Sequence, residues 1–264
     1  MGLSPLLLCS LAALLTFPAN PKQVAEQISV AVSNALNDRH YRISVQTPSS
    51  LRFKPQQGKA QLLGDPKSAP PKEWKAAANR ELAFILVEIF QTYKHACVVV
   101  FPDQSQAKAA KREWAKSNFR PTVLDKFDDL RSSGFGNRAV IVKPKILVLC
   151  SPTTRSLQEL DSVCTDEMAC ILLNEEPGCA PPDFLSCYAL VDNPHPNWAG
   201  GLLYHAYPDG WILGAAGKSG APKTFGTSKV RPTLEEIDTG FQKVVSDTNW
   251  FSGAGAAAAL ERVK

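Results

Sequence analysis

The sequence lacks the short motifs that identify the common catalytic and cofactor-binding sites. It contains no G-x-x-x-x-G-K-[ST] loop, no G-x-G-x-x-G turn, no H-E-x-x-H helix and no G-x-S-x-G elbow. His195 and His205 lie near each other in the sequence, but no nucleophile with a supporting acid is obvious beside either. The sequence therefore predicts no catalytic residue and no cofactor, although it does not exclude an enzyme.

Cysteine is present, but the spacing of metal sites is absent. The seven cysteines include no C-x-x-C pair, and only four histidines accompany them, so no metal site is predicted. Cys97 and Cys150 lie in apolar runs, where a thiol is usually a small buried hydrophobe. Cys179 and Cys187 flank a Pro-Pro loop and could pair in an oxidising compartment. The odd cysteine count favours free thiols in a reducing one.

Strong charge and long apolar runs are also missing. The net charge is only +4, whereas a nucleic-acid-binding domain normally gathers a denser basic patch. The apolar segment from Leu3 to Leu15 is too short for a membrane span, which needs about 20 residues. It lacks the basic residues that precede a signal-peptide core. We expect residues 1–19 to be an apolar leader or targeting segment; a helix packed on the domain is the alternative.

Periodicity along the rest of the chain alternates between helix and strand. Buried apolar runs separated by helical patterns are typical of a sheet covered on both faces. The sequence predicts a single three-layer α/β domain over residues 20–248, with a mixed, largely parallel sheet, a C-terminal antiparallel hairpin and a terminal helix. Residues 249–264 are expected to form a flexible tail. Predicted helices lie at 21–38, 73–93, 104–117, near 156–164 and from 233; predicted strands lie at 41–47, 97–101, 139–142, 146–150, 169–173, 184–191, 201–207 and 211–216.

Two of these helices have well-defined apolar stripes. In the helix over 73–93, the stripe consists of Trp74, Ala78, Leu82, Ile85, Ile89 and Tyr93. The terminal helix opens with a capping box from Thr233 to Glu236. Its inward stripe is predicted to be Leu234, Ile237, Phe241, Val244 and Val245. Between 48 and 71 the chain is polar and rich in glycine and proline, which predicts a long loop.

Polar residues follow several of the predicted strands. In open α/β sheets, ligands bind beyond the carboxyl ends of the strands. The residues at those ends form a candidate ligand-binding set that would suit a phosphate, a sugar or a metal: Asp103, Ser151, Thr153, Asn174 and Glu175. The competing interpretation is that strand ends meet water and carry polar caps in any case.

The helix over 104–117 carries basic residues on the side opposite Ala107, Ala110 and Trp114. This basic face consists of Lys108, Lys111, Arg112 and Lys116. Most such faces are simply solvated, because long basic side chains suit exposed helix positions. The alternative is docking to an anionic membrane surface or an acidic protein.

Five segments in a fixed order resemble a known family. They are PKQVAEQISVAVSNALNDRHYRISVQTP from Pro21, ANRELAFILVEIF from Ala78, VVVFPD from Val98, DFLSCYALVD from Asp183 and GLLYHAYPDGW from Gly201. Together they are similar to the plastid and cyanobacterial domain of unknown function found in low-photosystem-II-accumulation type assembly factors. The same domain is fused to some chloroplast adenylate kinases. The resemblance extends from about Pro21 to Asp238.

The resemblance implies a chloroplast protein of the stroma or thylakoid surface. It implies a non-catalytic binding or assembly factor for photosynthetic complexes, with photosystem II subunits or the thylakoid surface as partners. It transfers no catalytic residue. Two departures from the family pattern are present: the leader is not a long Ser- and Arg-rich transit peptide, and the region from Tyr204 to Tyr207 is nearly neutral. The alternatives are a nucleotide- or phosphometabolite-binding enzyme that uses the strand ends, and a permanent structural subunit of a photosynthetic complex.

Overall fold

Helices and strands alternate along the chain in a computed structural model, which describes residues 16–53, 72–119, 121–127, 144–176, 179–198, 200–216 and 222–246. The helices are α1 (Pro21–Asn37), α2 (Lys72–Ile89), α3 (Gln104–Trp114), α4 (Thr154–Leu160) and α5 (Leu234–Ser246), with a 3-10 helix at Gln91–Ala96. The strands are β1 (Arg42–Gln46), β2 (Cys97–Val100), β3 (Thr122–Leu124), β4 (Ile146–Cys150), β5 (Ala169–Leu173), β6 (Leu185–Asp192), β7 (Gly201–Ala206), β8 (Trp211–Ala216) and β9 (Pro222–Ser228).

All nine of these strands form one mixed sheet in the order β3-β2-β4-β5-β1-β6-β7-β8-β9. In this spatial order, the five neighbouring pairs from β3 at the edge to β6 are parallel. The pairs from β6 to β9 are antiparallel. The predicted fold class is confirmed, and the antiparallel part contains four strands where a hairpin was expected.

Helices cover both faces of the sheet, which makes three layers. On the first face, α1, α2 and α3 pack on alternate residues of the strands, such as Val99, Val148 and Ile171. On the second face, α4 covers the intervening residues, such as Leu147 and Leu172. Further along the second face, α5 covers the antiparallel strands. Strands β2, β4 and β5 are buried along their whole lengths, because each has a helix layer on both sides.

Capping residues in the sequence set the starts of the helices. The side chain of Asn20 accepts a hydrogen bond from the N–H of Gln23 at 3.0 Å, and Pro21 occupies the first turn of α1. At α5, the Glu236 carboxylate accepts from the N–H of Thr233 at 2.8 Å, and the Thr233 hydroxyl accepts from the N–H of Glu236 at 3.2 Å. The predicted capping box is therefore confirmed.

Both predicted apolar stripes are wrong at one end. Tyr93 is 47% exposed because α2 ends at Ile89 and the chain continues as a 3-10 helix. Leu234 is 59% exposed; it is the first residue of α5, and the buried face of that helix begins one turn later at Ile237. Leu82 is fully buried as predicted.

Several predictions concern residues beyond the described ranges. Residues 1–15 of the leader, the strand at 139–142, most of the 48–71 loop and the 249–264 tail lie outside the described residues. The residue pattern did not predict two edge strands, β3 and β9. Six cysteines that the structure describes are unpaired, including Cys179 and Cys187, and Cys97 and Cys150 are buried as predicted. Within the described ranges, no helix is long and apolar enough to cross a membrane.

Candidate functional site

Three parallel strands end side by side at the carboxyl edge of the sheet, where β4, β5 and β1 are neighbours. Ser151 follows β4 with a φ of 45°, and Asn174 follows β5 with a φ of 49°. The N–H of Ser151 donates to the carbonyl of Leu173 at 2.7 Å, and the N–H of Asn174 donates to that of Val45 at 3.0 Å. Left-handed backbone is uncommon for residues other than glycine, so these hydrogen bonds hold both residues in their unusual conformation.

A chain of amide and hydroxyl groups connects these strand ends to α2. Asn79 of α2 donates from Nδ2 to Oγ of Ser151 at 2.6 Å. Nδ2 of Asn174 donates to Oδ1 of Asn79 at 2.7 Å, and Oδ1 of Asn174 accepts from the N–H of Thr47 at 2.7 Å. The network therefore uses the side chains of Ser151 and Asn174 within the protein, where they fix α2 against three strands.

Glu175 lies beside this network but approaches the other face of the sheet, near Gln46 of β1. It is 5% exposed, and its Oε1 accepts from Nε2 of Gln46 at 3.0 Å. Among the described residues, Oε2 has no hydrogen-bond partner. Desolvation raises the pKa of Glu175, and its own backbone N–H, Gln46, the Ser44 hydroxyl and the charge of Arg231 oppose that effect. A buried carboxyl group with one unpaired oxygen is costly, and such groups are concentrated at functional sites.

A cavity of about 390 Å³ opens farther along the same edge, at the ends of β2, β3 and β4 beside α4. Its lining includes two basic side chains, Lys126 and Arg155, and two acidic ones, Asp125 and Glu159. Nε of Arg155 donates to Oε1 of Glu159 at 3.0 Å, and Arg155 is 88% exposed. The cavity is thus a mixed-charge depression that is open to solvent.

Two residues of the candidate ligand set are helix caps. Asp103 caps α3 and accepts from the backbone N–H and the side-chain amide of Gln106, each at 2.9 Å. The bond from the Gln106 N–H is the main cause that lowers the pKa of Asp103. Thr153 caps α4 in a reciprocal arrangement with Ser156 and also lines the cavity. Both positions match the competing interpretation, in which strand-end polar residues cap the following helix.

The structure therefore does not bring the five predicted ligand-binding residues together in one site. It brings Ser151 and Asn174 together, places Glu175 beside them on the other face, and uses Asp103 and Thr153 as caps. Sequence reasoning missed Asn79, the residue that joins the first two. The available signal was a polar side chain directly beside the apolar stripe of α2.

The predicted basic face is exposed, but only Lys108, Lys111 and Arg112 lie on α3, because the helix ends at Trp114 and Lys116 lies in the turn that follows. Lys108, Lys111, Arg112 and Lys116 are exposed, while Ala107, Ala110 and Trp114 on the opposite side are buried. The single acidic residue of α3, Glu113, is bound to Arg80 of α2, with Oε1 and Nη2 2.9 Å apart. Within the described ranges, the basic face forms no salt bridge. Its positive charge is therefore directed to solvent without a neutralising carboxylate.

The segment after β1 is tied to α2 by a second buried contact. Nη2 of Arg52 lies 2.6 Å from Oε1 of Glu81, and the N–H of Phe53 donates to Oε2 at 2.8 Å. The guanidinium of Arg52 also lies over the ring of Trp74, 4.9 Å from its centroid. These contacts hold the start of the 48–71 segment against the helix that supplies Asn79.

Comparison with protein-family models gives one match, which covers residues 18–179. The chain belongs to the DUF1995 family, a domain of unknown function. The DUF1995 match contains α1 and all of the parallel strands from β1 to β5, together with Asn79, Asn174 and the basic face of α3. It ends before β6, so the resemblance from residue 180 to Asp238 stays a prediction. No curated protein and no solved structure is similar enough to this chain to count as a match.

Proposed function

We propose that this DUF1995 chain is a non-catalytic plastid auxiliary protein that assists the assembly of photosystem II complexes by docking to the anionic thylakoid surface through α3. The plastid setting rests on the resemblance of its five sequence segments to the plastid and cyanobacterial domain. The docking surface rests on one structural observation, the exposed basic face of α3 whose neighbouring carboxylate, Glu113, is already bound to Arg80.

The dimensions of the basic face suit such docking. Lys108, Lys111 and Arg112 span about 6 Å of α3 at 1.5 Å per residue, and Lys116 lies in the turn two residues after the helix ends. The helical part is shorter than the Debye length of about 8–10 Å at physiological salt, so an anionic surface experiences these charges together. Each basic residue near an anionic leaflet contributes about 1 kcal/mol. The sum of about 4 kcal/mol favours reversible attachment of the kind that an auxiliary factor needs.

Charge reversal tests the docking surface. We expect simultaneous substitution of Lys108, Lys111, Arg112 and Lys116 by glutamate to release the protein from isolated thylakoid membranes in a sedimentation assay. Folding should be unaffected because all four side chains are exposed. Raised salt should release the wild type in the same way, because it screens the attraction.

A matched control reverses four exposed basic residues away from the basic face, Lys22, Lys75, Lys145 and Lys229. This control has the same net charge as the test variant and should remain bound. Retention of the test variant would contradict the proposed surface. Retention of the wild type at high salt would instead favour the alternative of a permanent structural subunit.

A second candidate function is a nucleotide- or phosphometabolite-binding enzyme. The cavity of about 390 Å³ supports it, because Lys126 and Arg155 could meet a phosphate there. A ligand at a hundred times its dissociation constant would add about 2.7 kcal/mol to the free energy of unfolding. A panel of nucleotides and sugar phosphates should then raise the melting temperature of the wild type but not of a Lys126→Ala, Arg155→Ala variant. An unmoved melting temperature across the panel would contradict this second candidate.

A further inference from the structure

Two thiols lie together at the amino edge of the sheet, away from the strand-end site. Cys170 is the second residue of β5 and is fully buried. Cys164, in the segment between α4 and β5, is half-buried and packs against the same apolar cluster. The two thiols are close enough to influence each other's ionisation. They are six residues apart in the chain.

A fixed cation lies next to this pair. Arg42 of β1 is the register partner of Cys170 in the adjoining strand. Its Nη1 lies 3.0 Å from Oδ1 of Asp161 and also contacts Oδ2 of Asp183. The guanidinium lies over the ring of Phe184, 5.8 Å from the centroid. Three contacts from different segments therefore hold the positive charge of Arg42 beside the thiols.

The two thiols are chemically unequal. The neighbouring Cys170 thiol and then the charge of Arg42 hold the pKa of Cys164 below its ordinary value, against the effect of burial. The neighbouring Cys164 thiol, together with burial, raises the pKa of Cys170. A low-pKa, partly exposed thiol beside a buried one is the arrangement of a nucleophilic and a resolving cysteine.

A cavity of about 360 Å³ opens at this edge of the sheet, lined by Arg42, Asp183 and Thr165, the residue that follows Cys164. Neither cysteine lines this cavity, so a reagent reaches Cys164 through the exposed part of its own half-buried side chain. Three other described cysteines, Cys97, Cys150 and Cys187, are buried, whereas Cys179 is half-buried like Cys164. Burial raises the pKa of Cys97 to about 12 and raises that of Cys150 and Cys187 as well. Reactivity should therefore be concentrated at the two half-buried cysteines, and of these Cys164 has the charge of Arg42 beside it.

We propose that Cys164 and Cys170 form a redox-active dithiol that exchanges with disulfides. The Cys164 thiolate attacks one sulfur of a substrate disulfide, which forms a mixed disulfide and releases the first thiolate. Cys170 then loses its proton and attacks the sulfur of Cys164, which releases the second thiolate. Two electrons pass from the protein to the substrate disulfide, and an intramolecular disulfide remains. Reaction with a dithiol reverses these steps.

The full-length chain can be tested with glutathione as the probe. After equilibration in buffers of oxidised and reduced glutathione, acid quenching and alkylation of free thiols, the protein is digested with a protease that cleaves after acidic residues. Asp166 and Glu167 lie between the two cysteines, so an intramolecular disulfide holds the two fragments together until a reductant is added. We expect linked fragments in the wild type and in Cys179→Ser, and none in Cys164→Ser or Cys170→Ser.

The contribution of Arg42 has its own measurement. Alkylation of Cys164 at neutral pH should be slower in Arg42→Gln than in the wild type, and Arg42→Lys should restore most of the rate because it keeps the charge. Circular dichroism identifies any variant that fails to fold; if Arg42→Gln fails, the comparison is made with Arg42→Lys at low and high salt. Equal rates would overturn the role of Arg42.

Three results would overturn the dithiol itself. They are the absence of linked fragments across the redox series, a stable mixed disulfide between Cys164 and glutathione as the only product, and a disulfide between Cys164 and a cysteine other than Cys170.

Discussion

At the scale of single residues, the most informative group is Glu175. Its carboxyl group is almost completely buried, and one oxygen has no hydrogen-bond partner among the described residues. A fold that keeps such a group incurs a free-energy cost unless the group has a further role. The polar network beside Glu175 differs in this respect, because the side-chain amides of Asn79 and Asn174 are hydrogen-bonded to each other.

The pKa shift of Glu175 leads to a prediction with a definite sign. Desolvation is the main cause that raises the pKa of Glu175 in the folded state. The contribution of Glu175 to stability is therefore fully present below the unfolded pKa of about 4.3, and it is lost as pH rises through the folded pKa. We expect Glu175→Gln to raise the free energy of unfolding at pH 7 by about 1 kcal/mol. The gain should vanish near pH 4. Urea denaturation at the two pH values measures both.

The adjacent residue provides the control for this experiment. Glu176 is exposed, so Glu176→Gln should leave the free energy of unfolding nearly unchanged at both pH values. A loss of stability in Glu175→Gln at pH 7 would show that the ionised carboxylate has a stabilising partner, which would contradict desolvation as the dominant effect on Glu175.

At the scale of helices and strands, the pattern of apolar residues was sufficient to predict most of the fold. The runs that became β2, β4 and β5 are apolar at every position because both of their faces are covered, and the sequence displays this directly. Strand β3 is only three residues long, and β9 begins with proline and contains glycine. Both are edge strands, where pairing to one neighbour suffices and the residue pattern is correspondingly weak.

The candidate site was less predictable for a physical reason. Ser151 and Asn174 could be placed at strand ends from the sequence, but their partner Asn79 comes from a helix about 70 and 95 residues away. Asn79 bridges this separation in sequence because of the way in which α2 packs on the sheet. Periodicity predicts which face of a helix is buried, but it does not predict the register of that face against the strands. Sequence position also gave no indication that Glu175 approaches the opposite face from its neighbour Asn174.

The register of α2 can be tested by a matched pair of substitutions. Leu82 is fully buried and Ile85 is half-buried, although the sequence pattern treats them alike. Leu82→Asp should prevent folding, because an unpaired charge in the core costs several kcal/mol. Ile85→Asp should fold with reduced stability, since its side chain can reach water. Circular dichroism melting distinguishes these outcomes; equal behaviour of the two variants would show that the buried face of α2 is wrongly assigned.

At the scale of the whole molecule, three surfaces are separated by the architecture. The basic face of α3 lies on the outer side of the first helix layer. The polar network and Glu175 lie at the carboxyl edge of the parallel strands, and the thiols of Cys164 and Cys170 lie at the amino edge. The proposed docking through α3 would therefore leave both edges of the sheet accessible. Redox chemistry at the amino edge can be tested independently of docking, because the two surfaces share no residue.

The most direct test of the proposed function is complementation in the source organism. The native gene is replaced by the variant with glutamate at Lys108, Lys111, Arg112 and Lys116, or by the control variant with the four reversals elsewhere. Assembly of newly made photosystem II subunits is then followed by pulse labelling and native gel electrophoresis. We predict that labelled subunits accumulate in early assembly complexes with the first variant and mature normally with the control. Normal maturation with the first variant, at wild-type protein levels, would contradict a role of the basic face in photosystem II assembly.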